Sequence, residues 1–426
     1  MNNDEDACLR FEKAFEAAWA RSDLIFNLIP RDVLLERPID LRHPFLFYLG
    51  HLPAFAWNQI GRGFLGEGHY DAAFDLLFER GIDPADDAQA QKQSISAWPN
   101  VRLVFEYRDR VRDAIHERIP AVLERSHDVL GQNGRILHVA IEHELMHHET
   151  LMYMFAQCRE GIIARPDWVL PPEDGPGQEA EVRNVPEGKA IVGANFDDIE
   201  FGWDNEFGQE EWFVPAFRIQ SLPVRNRDWL DFIRKNHLGE KWFPASWTRH
   251  WGDLCVKTVF GLVPFELAAG WPVQVSNAQA DDYCAWRGGV LPNVGQLLRA
   301  AYGDDRRRMR PWDDAVQDAE AGDFGFTRWY PSPTGRHPKS ASVYGVEELV
   351  GNGWEWSCTG FGPLTGFKPY VRSYPGYSAD FFDGQHDVVF GASWATDRVF
   401  LRRSFRNWYR SNYPYAFTSF RVAWDE

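Results

Sequence analysis

The sequence predicts an α+β protein, a four-helix bundle followed by a strand-rich second domain. Three observations carry that expectation. Up to about Gly161, apolar residues recur three and four positions apart in four long segments, which is the helical period. Beyond residue 188, that period gives way to short β-like runs broken by Gly, Pro, Asn and Asp. Fifteen of the 19 tryptophans fall in this later half, pointing to a compact domain held by aromatic packing. A length of 426 residues suits two domains of roughly 100–200 residues each.

The first helical segment spans Leu9 to Trp19, and the second begins after Pro44 with Phe45, Phe47, Tyr48, Leu52, Phe55, Ala56 and Ile60 on the helical spacing. A third runs over 101–119 and a fourth over 135–158, so that 1–165 reads as the helical domain. The connection from His69 to Trp98 is less regular, and GIDPADD at 81–87 is turn chemistry. Residues 166–188, rich in Pro, Gly and acids, read as a linker. The second domain, 189–426, is expected to hold β-like runs at 190–192, 212–219 and 388–390, with short helices near 226–236 and 277–287.

Composition narrows the function classes. With 45 Lys and Arg against 62 Asp and Glu, the net charge is −17, which disfavours phosphate backbones and anionic membranes as partners. No apolar stretch approaches the length that spans a bilayer, and the acidic N-terminal stretch does not read as a signal peptide, so a soluble cytoplasmic protein is expected. The five cysteines (Cys8, Cys158, Cys255, Cys284 and Cys358) are scattered and form no C-x-x-C pair. A disulfide scaffold and a thiolate zinc site are both disfavoured.

The richest segment is the run from Glu142 to Glu149, EHELMHHE. His143 and His147 lie four apart on a helix, so their imidazoles project from one face and can share a divalent metal. A pair of structural histidines is the other reading. The same letters spell H-E-x-x-H, the zinc-protease signature, with Glu144 as general base. No third ligand with that family's spacing follows, since Glu149 is two residues past His147 and the next histidine after His148 is His237. A third ligand is better sought in His51, set in the apolar helical stretch FYLGHLP, because bundles bind metals by projecting ligands inward from facing helices. His43, His138 and His148 are less suited by their position on the helices.

At these residues a resemblance appears. FYLGHLPAFAWN (47–58) and LMHHETLMYM (145–154) resemble the iron-binding, DinB-like domain of ergothioneine-type sulfoxide synthases, whose pattern of one early histidine plus H-x-x-x-H-x-E falls on His51, His143, His147 and Glu149. The stretch from FERGIDP to AWPNVRLVFEYRDRVRD resembles the fungal-type branch. The later half resembles a formylglycine-generating-enzyme-like domain of C-type-lectin fold, through FGWDNE, VPAFRIQSLPVRNRDWLDFI, ELVGNGWEWS, SYPGYSADFFDGQHDVVFGASWAT and RRSFRNWYRSNYPYAFTSFRVA. Three departures matter. No cysteine follows Cys358, which removes the copper-binding pair of formylglycine-generating enzymes themselves. Met146 replaces a glutamine, and 290–297 depart from the family's R-L-P-T-E-A-E-W. Tyr409 and Tyr413 stand where actinobacterial members grip γ-glutamylcysteine, so free cysteine is the expected sulfur donor.

The resemblance implies a non-haem Fe(II) oxidoreductase that uses dioxygen to bond a cysteine-type sulfur to the imidazole carbon of hercynine, leaving a sulfoxide. His51, His143 and His147 would hold the iron; three imidazoles alone would equally admit zinc or copper. Tyr374 and Tyr377 match the family's tyrosine pair, with Tyr374 as proton donor and Tyr377 as its neighbour. Asn407 and Trp408 match the positions that hold hercynine, whose trimethylammonium calls for aromatic faces. Three alternatives stand beside this expectation: a selenoneine synthase taking a selenosugar donor, a metal-free module binding small zwitterions, and a zinc metalloprotease.

Overall fold

A computed structural model describes residues 2–79, 86–92 and 97–425. The chain divides into two compact units, one of residues 1–164 with 368–377, the other of residues 165–367 with 378–426.

In the first unit, α1 (Asn2–Leu28), α2 (Phe45–Trp57), α5 (Val101–Glu124) and α6 (Arg135–Phe155) are the long helices; α3 (Ala72–Leu77) and α4 (Asp87–Lys92) are short. Helices α2 and α5, α1 and α6, α1 and α5, and α2 and α6 pack in pairs, the four-helix arrangement expected from the periodicity. The first helix is longer than its apolar stripe suggested. Every residue of α2 is buried, which its sequence FLFYLGHLPAFAW permits because it carries no Asp, Glu, Lys or Arg. Pro53 lies inside α2, and from Asn58 to Leu65 the helix widens into π-type turns. Asn100 caps α5 by accepting from the Arg102 N–H at 2.9 Å. The turn expected at 81–87 falls mostly outside the described residues.

The second unit has four small sheets with strand orders β1-β4-β12, β10-β9-β8-β11, β2-β3 and β5-β6-β7. Its strands are β1 (Val182–Val185), β2 (Gly188–Val192), β3 (Glu210–Val214), β4 (Phe217–Gln220), β5 (Trp247–His250), β6 (Asp253–Thr258), β7 (Gly261–Pro264), β8 (Gly353–Gly360), β9 (His386–Ala392), β10 (Asn407–Arg410), β11 (Thr418–Ser419) and β12 (Ala423–Asp425). Seven tryptophans (Trp203, Trp229, Trp271, Trp312, Trp354, Trp356 and Trp394) are among its fully buried side chains, as the aromatic composition led us to expect. Helices α7 (Asn226–Lys235) and α9 (Asn277–Trp286) lie where the sequence placed them, with the short α8 (Phe265–Ala268) between.

Three features depart from the sequence reading. The stretch read as a linker, 166–188, carries β1, which pairs antiparallel with β4 from Val182 opposite Gln220 to Val185 opposite Phe217. Proline and acidic residues mark a segment as irregular but do not prevent an edge strand from pairing. The run expected at 212–219 is two strands, β3 and β4, divided at Pro215 and Ala216, because proline cannot donate to a ladder. Helix α10 (Val294–Tyr302) was not anticipated; its signal was the capping box in which Asn293 Oδ1 accepts from the Gln296 N–H at 2.9 Å and Gln296 Oε1 from the Asn293 N–H at 2.9 Å. Among the described residues, no helix is long and apolar enough to cross a membrane.

A buried charged group in this unit sets a pH dependence. His337 Nε2 lies 3.1 Å from Asp323 Oδ2, and His337 Nδ1 lies 3.2 Å from the Glu320 carbonyl, so both ring nitrogens face acceptors. Burial opposes charging the ring, but the Asp323 hydrogen bond and charge outweigh it and raise His337 above its ordinary value. Burial likewise pushes the Glu348 carboxyl up to about 7, against the opposing charge of His337. Both groups bind protons more tightly folded than unfolded, so their stabilisation is complete at low pH and fades as pH rises through their folded values. Asp323 is held below its ordinary value, and its contribution is lost only on acidification. The urea midpoint followed by tryptophan fluorescence is therefore expected to be lower at pH 8 than at pH 6. Glu348→Gln should flatten that difference, and an unchanged slope in the variant would exclude Glu348 as its source.

Candidate metal centre

Helix α2 supplies His51, and α6 supplies His143 and His147 one turn apart on a single face. Their Nε2 atoms converge: His51 to His143 is 3.2 Å and His143 to His147 is 3.2 Å. Candidate ligand atoms of all three lie within 4.8 Å of one another. The three sequence-predicted ligands are thus brought together.

Side chains around the histidines set ring orientation. Phe47, one turn before His51, stacks on it at 4.9 Å and 20°, and Phe55 stacks on His143 at 3.5 Å and 9°. His51 Nδ1 donates to the Phe78 carbonyl at 2.7 Å, which leaves the lone pair on Nε2. Gly50 makes room for that contact, since a Cβ there would lie 2.5 Å from the Phe78 ring. Burial lowers the pKa of His51 to about 4 and holds His143 and His147 well below the ordinary range, so all three imidazoles are neutral at pH 7.

These residues fit a divalent transition-metal ion. Imidazole nitrogens about 2.1 Å from a common ion lie about 3 Å apart, close to the two observed contacts. A hydrogen on His143 Nε2 could satisfy only one of its two imidazole neighbours, whereas a cation satisfies all three lone pairs. Neutral imidazole is also the protonation state that ligation demands.

The remaining histidines of the motif are engaged elsewhere. His148 Nε2 lies 2.8 Å from Ser22 Oγ, and Ser22 donates to Glu144 Oε1 at 2.5 Å. Glu144 also lies 3.6 Å from Arg112 Nη2, so the glutamate of H-E-x-x-H is bound to α1 and α5. His138 packs edge-on against Phe11, and His43 lies tilted against Phe47 at 4.2 Å and 39°.

Tyr374 and Tyr377 belong to segment 368–377, which clusters with the first unit. Tyr377 N–H donates to the Tyr374 carbonyl at 3.1 Å, closing the turn that Tyr-Pro-Gly-Tyr encodes. The Tyr374 ring lies edge-on to Phe55 at 5.4 Å and 80°, so Phe55 contacts both Tyr374 and His143. Tyr377 Oη donates to Met146 Sδ at 3.6 Å, and Met146 sits on α6 between His143 and His147. Arg372 pairs with Asp128 at 2.7 Å, and Ser373 donates to Gln59. The sequence reading missed Phe55 and Phe78; the i,i+4 spacing of Phe47 to His51 and of His51 to Phe55 was the available signal for the stacking rings.

Asn407 and Trp408 lie in the second unit on β10, opposite Val389 and Val388 of β9. Trp408 stacks on Phe361 at 4.0 Å and 9°. Tyr409 and Tyr413 stack on each other at 5.7 Å and 6°. Arg402 pairs with Glu206, and Arg406 donates to the carbonyls of Asn205 and Gly362, so both brace the unit internally.

The architecture thus joins a bundle bearing three convergent imidazoles to a small-sheet domain rich in buried tryptophan. The family described as "Sulfatase-modifying factor enzyme 1-like domain" matches residues 170–426, and the DinB superfamily matches residues 14–151. "Ergothioneine biosynthesis protein 1" of Neurospora crassa is 30% identical over 96% of this chain and 57% of its own length. The protein of the same name from Schizosaccharomyces pombe is 29% identical over 93% of this chain and 53% of its own. "Hercynine oxygenase" of Mycolicibacterium smegmatis is 32% identical over 67% of this chain and 71% of its own. The chain belongs to the ergothioneine-type sulfoxide synthase family. It spans little more than half the length of the two fungal relatives.

Proposed function

We propose that this chain is a non-haem Fe(II)- and dioxygen-dependent enzyme that joins the sulfur of a cysteine-type thiol to hercynine as a sulfoxide. The observation that carries the reading is the convergence of three neutral imidazoles beside a tyrosine pair. The names of the similar proteins from Neurospora crassa and Mycolicibacterium smegmatis support hercynine and ergothioneine chemistry, which favours a sulfur donor over a selenosugar.

His51, His143 and His147 would hold the metal through Nε2. When bound, iron supplies the centre at which dioxygen is activated and the thiol is made more acidic. The chain's own residues do the rest. Phe47 and Phe55 cover imidazole faces and keep the rings in place while restricting water. Tyr374 holds the transferable proton on its hydroxyl, and Tyr377 supports it from 5.8 Å, ring to ring. Tyr377 itself donates to a thioether, a weak acceptor that holds a phenolic proton loosely. In the second unit, Asn407 offers amide hydrogen bonds and Trp408 an aromatic surface for the trimethylammonium group. Tyr409 and Tyr413 remove the charged pair that would grip a γ-glutamyl carboxylate, which favours free cysteine. A cytoplasmic location completes the reading, in keeping with five cysteines that form no disulfide.

The test is anaerobic incubation with Fe(II), hercynine and one of cysteine, γ-glutamylcysteine or a selenosugar, followed by air and mass analysis. The cysteine-linked sulfoxide is expected; a product only with the selenosugar, or none with any donor, overturns the reading. In the same assay, Tyr374→Phe should lower C–S bond formation by about 10²–10⁴-fold, the usual worth of a positioned proton donor. Thiol oxidation without the C–S bond should then dominate. If Tyr377→Phe shows the larger loss, the two tyrosines exchange roles.

A further inference from the structure

His51 has a support that neither the motif nor the resemblance indicates, and it begins at a buried carboxylate twenty-four residues later. Asp75 is fully buried in the short helix α3. A buried carboxylate is costly unless donors surround it, and here they do. Asp75 Oδ1 accepts from Tyr107 Oη at 2.7 Å and from the Asp71 N–H at 3.4 Å. Asp75 Oδ2 accepts from the Tyr70 N–H at 2.9 Å and lies 3.1 Å from His69 Nδ1. The Asp75 carbonyl in turn accepts from Asn58 Nδ2 at 3.1 Å. These bonds fasten α3 to α5 and to the continuation of α2.

A helix of six residues cannot hold itself, so its placement depends on such fastenings. Immediately beyond it stands Phe78, whose N–H closes the last turn on Phe74 O at 3.0 Å and whose carbonyl accepts the hydrogen bond from His51 Nδ1. The carbonyl thereby fixes both tautomer and ring angle. Outer partners of this kind are worth about 10–100-fold in metal affinity.

We propose that Asp75 is a positioning residue for the His51 ligand, acting through the short helix it anchors and the Phe78 carbonyl which that helix presents. The inference rests on the metal reading of the histidine centre. Its test is an anaerobic Co(II) titration of the whole chain, wild type against Asp75→Asn and Tyr107→Phe. Dissociation constant, visible Co(II) absorption and thermal midpoint are each recorded. Asp75→Asn is expected to weaken Co(II) binding about 10–100-fold and to change the absorption envelope, with a smaller change of the same kind in Tyr107→Phe. Should Asp75→Asn fail to fold, Tyr107→Phe decides alone. Variants that melt earlier yet bind Co(II) with wild-type affinity and spectrum would show Asp75 to be structural only and overturn the inference. A wild-type chain that takes up no Co(II) would instead overturn the metal reading itself.

Discussion

Replacing His147 or His51 by alanine is expected to lower metal affinity by about 10²–10³-fold, leaving the purified chain without iron after anaerobic reconstitution and desalting. The size follows from structural metal sites, where apparent binding of about 10–16 kcal/mol spread over four ligands gives roughly 2.5–4 kcal/mol each. Two Nε2 atoms left 3.2 Å apart, as in His51→Ala, would still offer a pair, but a pair releases the ion to any competing chelator. His148→Ala is the matched control on the same helix. Its Nε2 faces Ser22 Oγ at 2.8 Å, so it should lose stability through that contact and keep its metal. Metal content by plasma emission and affinity by calorimetry check all three variants. Full iron in either His51→Ala or His147→Ala would refute the ligand assignment, and with it the proposed oxygenase.

Arg421→Met should destabilise the second unit by about 3–5 kcal/mol, the usual result of stranding one member of a buried ion pair. Arg421 and Glu355 are both fully buried, and the guanidinium spends its donors completely. Its Nε donates to Glu355 Oε2 at 2.6 Å and one Nη2 hydrogen to Glu355 Oε1. The others go to the carbonyls of Gln220 at 3.1 Å, Ser221 at 3.0 Å and Glu347 at 3.0 Å. One planar side chain therefore ties the strand of GNGWEWS to the end of β4 and to the loop before β8. Lysine cannot repair the loss, since an ammonium lacks the five-donor fork. At this size the penalty corresponds to a fall in Tm of roughly 10 °C for a unit of about 250 residues. Calorimetry measures it, and a change below about 1 kcal/mol would show that the network is not what holds these segments together. Removing both charges as Arg421→Met with Glu355→Leu should cost less than Arg421→Met alone, because no unpaired charge is then left inside.

Much of the molecule was legible from local pattern. The 3.6-residue period announced the four long helices, and the tryptophan-rich, turn-broken later half announced small sheets around an aromatic core. His143 and His147 were legible as a pair because helix geometry alone puts residues four apart on one face. His51 could be nominated from its apolar setting, since a lone imidazole there needs a partner. Local pattern failed where pairing is long-range. The strand at Val182–Val185 draws its partner, Phe217–Gln220, from some 35 residues away, and nothing in its Pro- and acid-rich surroundings encodes that choice. The roles proposed for Asn407 and Trp408 rest on resemblance, because their spacing on β10 carries no chemical signature of its own.

What the amino-acid order determined by itself was which stretches coil, which pleat, and which two histidines must look the same way; each follows from backbone periodicity within one segment. Tertiary structure decided that His51 joins them, that Phe78 lends it a carbonyl, and that the tyrosines at 374 and 377 pack beside Phe55 and Met146. Those contacts link residues 27 to 319 positions apart in the chain, a separation over which no periodicity acts. Only the packing of buried apolar surface brings such residues together, and it does so for the whole unit at once.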